Sequence, residues 1–305
     1  MNNTFEKARK FVYRNARPLD LRRWQYHFEN GKKESILEAL EFYQNEDGGF
    51  GHALENDSWN PNSSPIQTWA AVSILKKINF SDKKHPIIKG ILKYLSSGAD
   101  FNGNFWYNTV PENDNYPHAQ WWKCQKDYNM KISYNPTASL VGFILCHAEK
   151  SDRIYKTALK IAKEMSAYYL TEKKPEMHTL YCYIEFYDYC MQSKAVEISA
   201  EFKKKLISDV NNLIKDNTSK WENEYWCKPS FFIHSKNSIF YKGNEELCKT
   251  ECDFIIKNQL ESGSWKITWQ WVDFENEFAV SANWWQSNSA IENMLFLKEF
   301  GGQSR

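Results

Sequence analysis

Residues that break helices are scarce in this chain: its 305 residues include 12 glycines and 9 prolines. So few breakers under a polar average argue for long helices joined at widely spaced turns. An excess of one charge is also lacking. With 39 basic and 38 acidic residues the net charge is +1, so no broad positive field draws the chain onto nucleic acid or an anionic membrane surface, and neither is an expected partner. Long hydrophobic runs are missing too. A bilayer crossing needs roughly 18–20 apolar residues, whereas the longest run, Leu140 to Cys146, has the length of a buried helix face. The segment Met1 to Lys10 is charged and has no apolar stretch of the signal-peptide kind. Seven cysteines, an odd number, then fit reduced thiols better than a disulfide framework. These absences lead to the expectation of a soluble cytoplasmic protein.

Aromatic residues are abundant. Phe, Trp and Tyr make up 16% of the chain, with 13 tryptophans, although the mean hydropathy is only −0.68. Apolar periodicity sorts the chain into two alternating kinds of helix. One kind is amphipathic, with stripes at Ile36, Leu37, Leu40 and Tyr43, and again at Ile87, Ile88, Ile91, Leu92 and Leu95. Further stripes begin near positions 154, 202 and 247. The other kind is apolar nearly all round: Ile66 to Ile78, Ala138 to Ala148, Thr179 to Met191, and more weakly Ser230 to Ile233 and Ala290 to Phe300. A helix apolar on every side must be covered on every side. Two N-terminal segments, Phe5 to Asn15 and Leu19 to Glu29, can supply one more pair.

The alternation repeats every roughly 45–65 residues, as expected of helical-hairpin arrays. Twelve helices in about six hairpins is the natural count. An open array would leave the all-apolar helices half exposed, so the expected fold is all-α, a single-domain (α/α) toroid over residues 1–305 with those helices as its inner layer. Long connections (45–62, 99–135, 217–229 and 261–285) join outer to inner helices, and shorter ones (79–86, 149–153, 192–200) join hairpins. The long loops then share one face, where binding and catalysis are expected.

Two of these loops open alike. Gln44-Asn45-Glu46-Asp47-Gly48-Gly49-Phe50 and Gln259-Leu260-Glu261-Ser262-Gly263-Ser264-Trp265 share Gln, then Gly four residues on, then an aromatic six on. The Gln amide is expected to cap carbonyls at the end of the outer helix, the Gly to take a tight turn and the aromatic to pack between hairpins. Here the chain resembles the terpene cyclase and protein prenyltransferase superfamily, the squalene cyclase type of α/α toroid, which carries this Gln-x-x-x-Gly-aromatic repeat. It is also similar to uncharacterised bacterial toroid proteins with a Gly-Phe-Gly-His-Ala-Leu-Glu segment, matched by Gly49 to Glu55. The resemblance implies a toroid and, less directly, a cyclase- or transferase-like enzyme acting on a small apolar or prenylated substrate. The Asp-x-Asp-Asp motif of class II cyclases is absent, as are the Asp-Asp-x-x-Asp motif of ionisation-type synthases and the Asp-x-Cys of prenyltransferases.

Candidate catalytic residues lie in the loop from Gly51 to Trp59, where His52, Glu55 and Asp57 meet an aromatic. A carboxylic acid desolvated by Trp59 can act as general acid or base with His52 as partner. The structural alternative is that Asp57 or Asn62 caps the helix near Pro65. Candidate substrate-binding residues are Trp59, Trp106, Tyr107, Trp121 and Trp122, with Trp226, Trp269, Trp271, Trp284 and Trp285 in the later loops. Such a lining can stabilise a cation or stack on a sugar ring, or simply fill the centre of the ring. No cofactor is expected. A zinc site from Cys146, His147, Cys227 and His234 would need ligands converging from separate hairpins, and the acidic run Asp273, Glu275 and Glu277 reads as a solvated loop before it reads as a metal site. Three functions follow as expectations: the terpene-cyclase-like enzyme, a carbohydrate-active lyase or hydrolase using the same carboxylates, and a noncatalytic toroid binding a small ligand or a protein.

Overall fold

In the computed structural model, residues 2–124, 132–215 and 218–302 are described; residues 125–131 and 216–217, within or beside two of the expected long connections, lie outside them. Among the described residues the chain forms eleven α-helices and no strand, with only isolated bridge pairs. They are α1 (Asn2–Asn15), α2 (Pro18–Phe28), α3 (Lys33–Glu41), α4 (Pro65–Lys77), α5 (Pro86–Ser97) and α6 (Thr137–His147). After these come α7 (Arg153–Thr171), α8 (Met177–Ser193), α9 (Ala200–Ile214), α10 (Glu245–Lys257) and α11 (Glu275–Phe300). No helix of the described residues is long and apolar enough to cross a membrane.

The alternating pattern is realised with two differences. The expected helix at Ser230 to Ile233 is a single 3-10 turn, Pro229–Phe231, because a short apolar run between Pro229 and polar Ser235-Lys236-Asn237 is too brief to propagate a helix. Eleven helices therefore stand among the described residues where about twelve were expected. Helix α11 also begins at Glu275, well before the expected start. Its first turn carries Glu275 and Glu277 at the positive end of the helix dipole, and this extension puts Trp284 and Trp285 on a helix, not in a loop.

The helices fall into two compact units, residues Leu40–Asp209 and residues Met1–Ala39 with Val210–Arg305. In the Leu40–Asp209 unit every residue of α6 is buried, and α6 packs on α4, α7 and α8. Glu185 on α8 ties three of these helices together. Its carboxylate is 1% exposed and accepts from Trp69 Nε1 (2.9 Å) and Ser73 Oγ (3.3 Å) on α4 and from Ser139 Oγ (2.6 Å) on α6. Helix α5 starts at Pro86, with His85 Nδ1 accepting from the Ile87 amide, and ends at the left-handed Gly98. Its buried stripe is Ile87, Ile88, Ile91, Tyr94 and Leu95. Each such isoleucine contributes roughly 1.5–3 kcal/mol by leaving water, and an aspartate at Ile91 would bury an unpaired charge and unseat the helix.

In the other unit α11 packs on α1, α2 and α10. Arg23, 4% exposed, joins α2 to α11: Nη1 donates to Asp20 (2.9 Å) and Asn288 (2.7 Å), and Nη2 to Glu292 (2.8 Å).

Both Gln-x-x-x-Gly turns are built to one plan, and it differs from a helix-end cap. Gln44 Nε2 donates to Gly48 O (2.9 Å) and to Ile87 O on α5 (3.2 Å). Gln259 Nε2 donates to Gly263 O (3.0 Å) and to Thr4 O on α1 (2.9 Å). The two glycines are left-handed, at φ +94° and +98°, and a Cβ would fall 2.1 Å from Gly90 O at the first and 2.1 Å from Lys7 O at the second. In each unit the glutamine holds one carbonyl of an amphipathic helix, and the glycine closes on the carbonyl three residues further along it.

Candidate functional site

The loop after the first of these turns folds into a tight polar knot. His52 and Ala53 are both left-handed, at φ 58°, and the chain then turns inward so that Glu55, Asn56, Asp57, Ser58 and Asn60 are all buried. Helix α4 organises it. Gln67 Oε1 accepts from the Glu55 amide (2.6 Å), and Gln67 Nε2 donates to Ser58 O (2.7 Å). The Asp57 amide donates to Glu55 Oε2 (3.0 Å), so one carboxylate oxygen holds the turn that carries the other carboxylate. A second loop lies alongside: Trp59 N donates to Pro117 O, Ala119 N to Asp57 O, and Asn60 Nδ2 to Asn113 Oδ1. The cap of α4 is Ser64, whose Oγ accepts from the Gln67 amide (3.3 Å), and neither Asp57 nor Asn62 holds that place.

His52 is exposed, and its Nε2 sits 2.9 Å from Asn45 Oδ1. Asn45 also lines an open, acidic depression of about 550 Å³ with Asp47, Asp100 and Glu112. There burial pushes the Asp100 carboxyl above its ordinary value, against the hydrogen bond from Tyr94.

The aromatic residues of this unit occupy different environments. Trp106 is fully buried, packs tilted against Phe101 at 4.6 Å and donates its amide to Thr137 Oγ1. Phe50 donates its amide to Thr68 Oγ1 in the same manner, so Trp106 is a turn aromatic within the core. Tyr107 lies at 6.3 Å from Phe105, Trp59 and Trp122 are half-buried, and Trp121 is exposed.

The later tryptophans gather in the unit that contains both chain ends. Trp269 lies edge-to-face with Tyr225 (5.1 Å) and with Trp285 of α11 (5.5 Å). Tyr225 is 45% exposed, and both tryptophans are half-buried. The indole Nε1 atoms of Trp269 and Trp285 are shielded from solvent and have no hydrogen-bond acceptor among the described residues. Two neighbouring indoles already carry cations: Lys220 Nζ lies 4.2 Å from the Trp226 ring, and the Arg17 guanidinium 5.0 Å from the Trp284 ring. Trp271 is buried against Phe278.

Several buried carboxylates lie outside the sequence motifs. Glu185 is one. Glu251 on α10, 1% exposed, accepts from the Ser230 amide (2.8 Å) and from Ser230 Oγ (2.5 Å). Burial pushes its carboxyl up to about 7, against the pull of Ser230 and of the Lys228 ammonium. Burial in turn lowers the Lys228 ammonium. Both oxygens of Glu251 engage Ser230, so its main effect is to hold the 3-10 turn against α10. The sequence signal for both residues was a lone carboxylate in an apolar stripe: Tyr183-Ile184-Glu185-Phe186, and Glu251 beside Cys248, Cys252 and Ile255.

Among the described residues no group of three or more His, Cys, Asp or Glu side chains is placed to hold a metal ion. Of the four zinc candidates, Cys146 and His147 lie in the Leu40–Asp209 unit, and Cys227 and His234 in the other. His147 Nδ1 is 2.9 Å from Phe143 O, its ring stacks on Phe143 at 4.3 Å, and burial lowers the imidazole below its ordinary value. Burial raises the Cys146 thiol.

Comparison with known proteins finds no matching family model, no matching curated protein and no matching solved structure.

Proposed function

We propose that the chain is an (α/α) toroid that binds a small, neutral, oxygen-bearing ring, of the kind a sugar unit presents, on the cluster Tyr225, Trp269 and Trp285. The common plan of the two Gln-x-x-x-Gly turns supports the toroid. Gln44 engages the amphipathic helix α5, and Gln259 engages the amphipathic helix α1 in the same way. A closed circuit of hairpins gives every outer helix such a neighbour. The likeness to the terpene cyclase and prenyltransferase superfamily rests on the same turns.

Indole N–H groups without an acceptor among the described residues occur also at Trp106, Trp122 and Trp221; the observation that carries the ligand class is that the pair at Trp269 and Trp285 lies beside an exposed tyrosine face. A buried donor left unmade costs roughly 1–3 kcal/mol, which an arriving hydroxyl or ring oxygen offsets, while the aromatic faces take the apolar face of the ring. A hydrocarbon offers no acceptor. The Trp284 and Trp226 rings, next in sequence to Trp285 and Tyr225, already face the Arg17 and Lys220 charges and so are taken as cation-stabilising faces, which puts the carbohydrate reading ahead of the prenylated one. Calorimetric titration of the full chain with neutral oligosaccharides, and in parallel with farnesol, tests this. Saturable sugar binding that weakens about tenfold in Trp269→Ala or Trp285→Ala is expected. Farnesol binding with no sugar response would overturn it.

A further inference from the structure

Beyond that cluster, in the Leu40–Asp209 unit, α5 and α7 leave a groove of about 480 Å³ between them. The apolar part of its lining is Leu92 and Leu95 of α5, Phe101 just after it, and Ile154 at the start of α7. Leu95 is buried, and the other three are half-buried. The charged part of the lining is mostly basic. Lys89 and Lys93 come from α5 and Arg153 from α7, with Asp152 the one acid of the lining. Lys93 Nζ donates to Glu46 O (2.8 Å), and Asp152 accepts from the Glu149 amide (3.1 Å). Lys89 and Arg153 are exposed, and neither side chain has a hydrogen-bonding or ion-pair partner among the described residues.

Like charges brought to one concave apolar surface by two different helices repel each other unless an anion joins them. We propose that this groove docks a peptide segment of a partner protein in which a large apolar side chain is flanked by aspartate or glutamate. The apolar side chain packs on Leu92, Phe101 and Ile154, and the flanking carboxylates meet Lys89 and Arg153. Such placement couples shape to charge: the apolar lining supplies affinity, and the two cations supply on-rate and choice of partner. The concavity selects against a lipid surface, which binds protruding apolar residues and not recessed ones.

Selection of a random peptide library on the immobilised full chain tests this, with the double variant Lys89→Glu, Arg153→Glu as the counter-target and phosphatidylserine vesicles as a separate arm. Both substitutions are on exposed side chains, and circular dichroism unchanged from the parent establishes that the fold is kept. The expected result is enrichment of peptides pairing Leu, Ile or Phe with Asp or Glu, which lose roughly tenfold or more in affinity on the double variant and weaken as salt rises. Enriched peptides without an acidic excess, equal affinity for the double variant, or binding of vesicles and no peptide would each overturn the proposal.

Discussion

Gln259 donates its side-chain amide to the carbonyl of Thr4 at 2.9 Å, across 255 residues of sequence. The bond has a counterpart in Gln44 and Ile87, and in both units the left-handed glycine that follows presses on the same amphipathic helix one turn further along. The later Gln-x-x-x-Gly turn thus treats α1 as the earlier one treats α5.

Replacing Gln259 by Ala removes two donated bonds, leaves the Thr4 and Gly263 carbonyls short of a partner, and should lower stability by about 1–2 kcal/mol in urea unfolding. Gly263→Ala should cost more, because its Cβ meets Lys7 O and its backbone is left-handed. Hydrogen exchange should quicken in α1 for Gln259→Ala and in α5 for Gln44→Ala. Uniform quickening in both helices for both variants would contradict separate anchors.

Glu251 sets the sign of a pH effect. Its carboxyl stands near 7 in the folded chain against 4.5 ordinarily, so between those values the folded state holds a proton that the unfolded state has released. The contribution is fully present below about pH 4.5 and is lost as pH rises through about 7, on the order of 3 kcal/mol at most. Urea midpoints of the Glu251→Gln variant, which cannot titrate there, should fall less steeply with rising pH over that window than those of the parent. Parallel curves would refute the assignment.

Glu185→Ala should cost about 3 kcal/mol, since it strips the Trp69 indole, Ser73 and Ser139 of one shared acceptor inside the packed helices α4, α6 and α8. Glu185→Gln, which keeps an amide oxygen, should cost less. Chemical unfolding of the two variants side by side checks the order, and equal losses would argue that bulk, not the carboxylate, is what matters.

Much of the fold was legible because burial imposes a period. The stripe Ile87, Ile88, Ile91 and Leu95 marks α5, and the unbroken run Leu140 to Cys146 marks a helix covered on all sides, as α6 is. The pattern misled at Ser230, where Phe231, Phe232 and Ile233 are half-buried or buried without forming a helix, pinned instead by Glu251 from α10. It also missed the start of α11, since Glu275 to Asn283 shows no apolar stripe. The site was less legible than the fold. Clustering of acids and aromatics along the sequence drew attention to Gly51–Trp59, yet His52 faces Asn45, Glu55 braces a turn and Trp106 is core. Proximity in sequence could not reveal that Tyr225, Trp269 and Trp285, from three segments, share one cluster.

The most direct test is a nuclear magnetic resonance titration of the ¹⁵N-labelled chain with a neutral oligosaccharide, following indole Nε1–H signals assigned through Trp269→Phe and Trp285→Phe. Binding on this cluster should shift the signals of Trp269 and Trp285 saturably, as each N–H gains an acceptor, with smaller changes at Trp106 and at Trp24 of α2, both fully buried. Saturation of the sugar with those two signals unmoved, or shifts confined to other tryptophans, would contradict the proposed site.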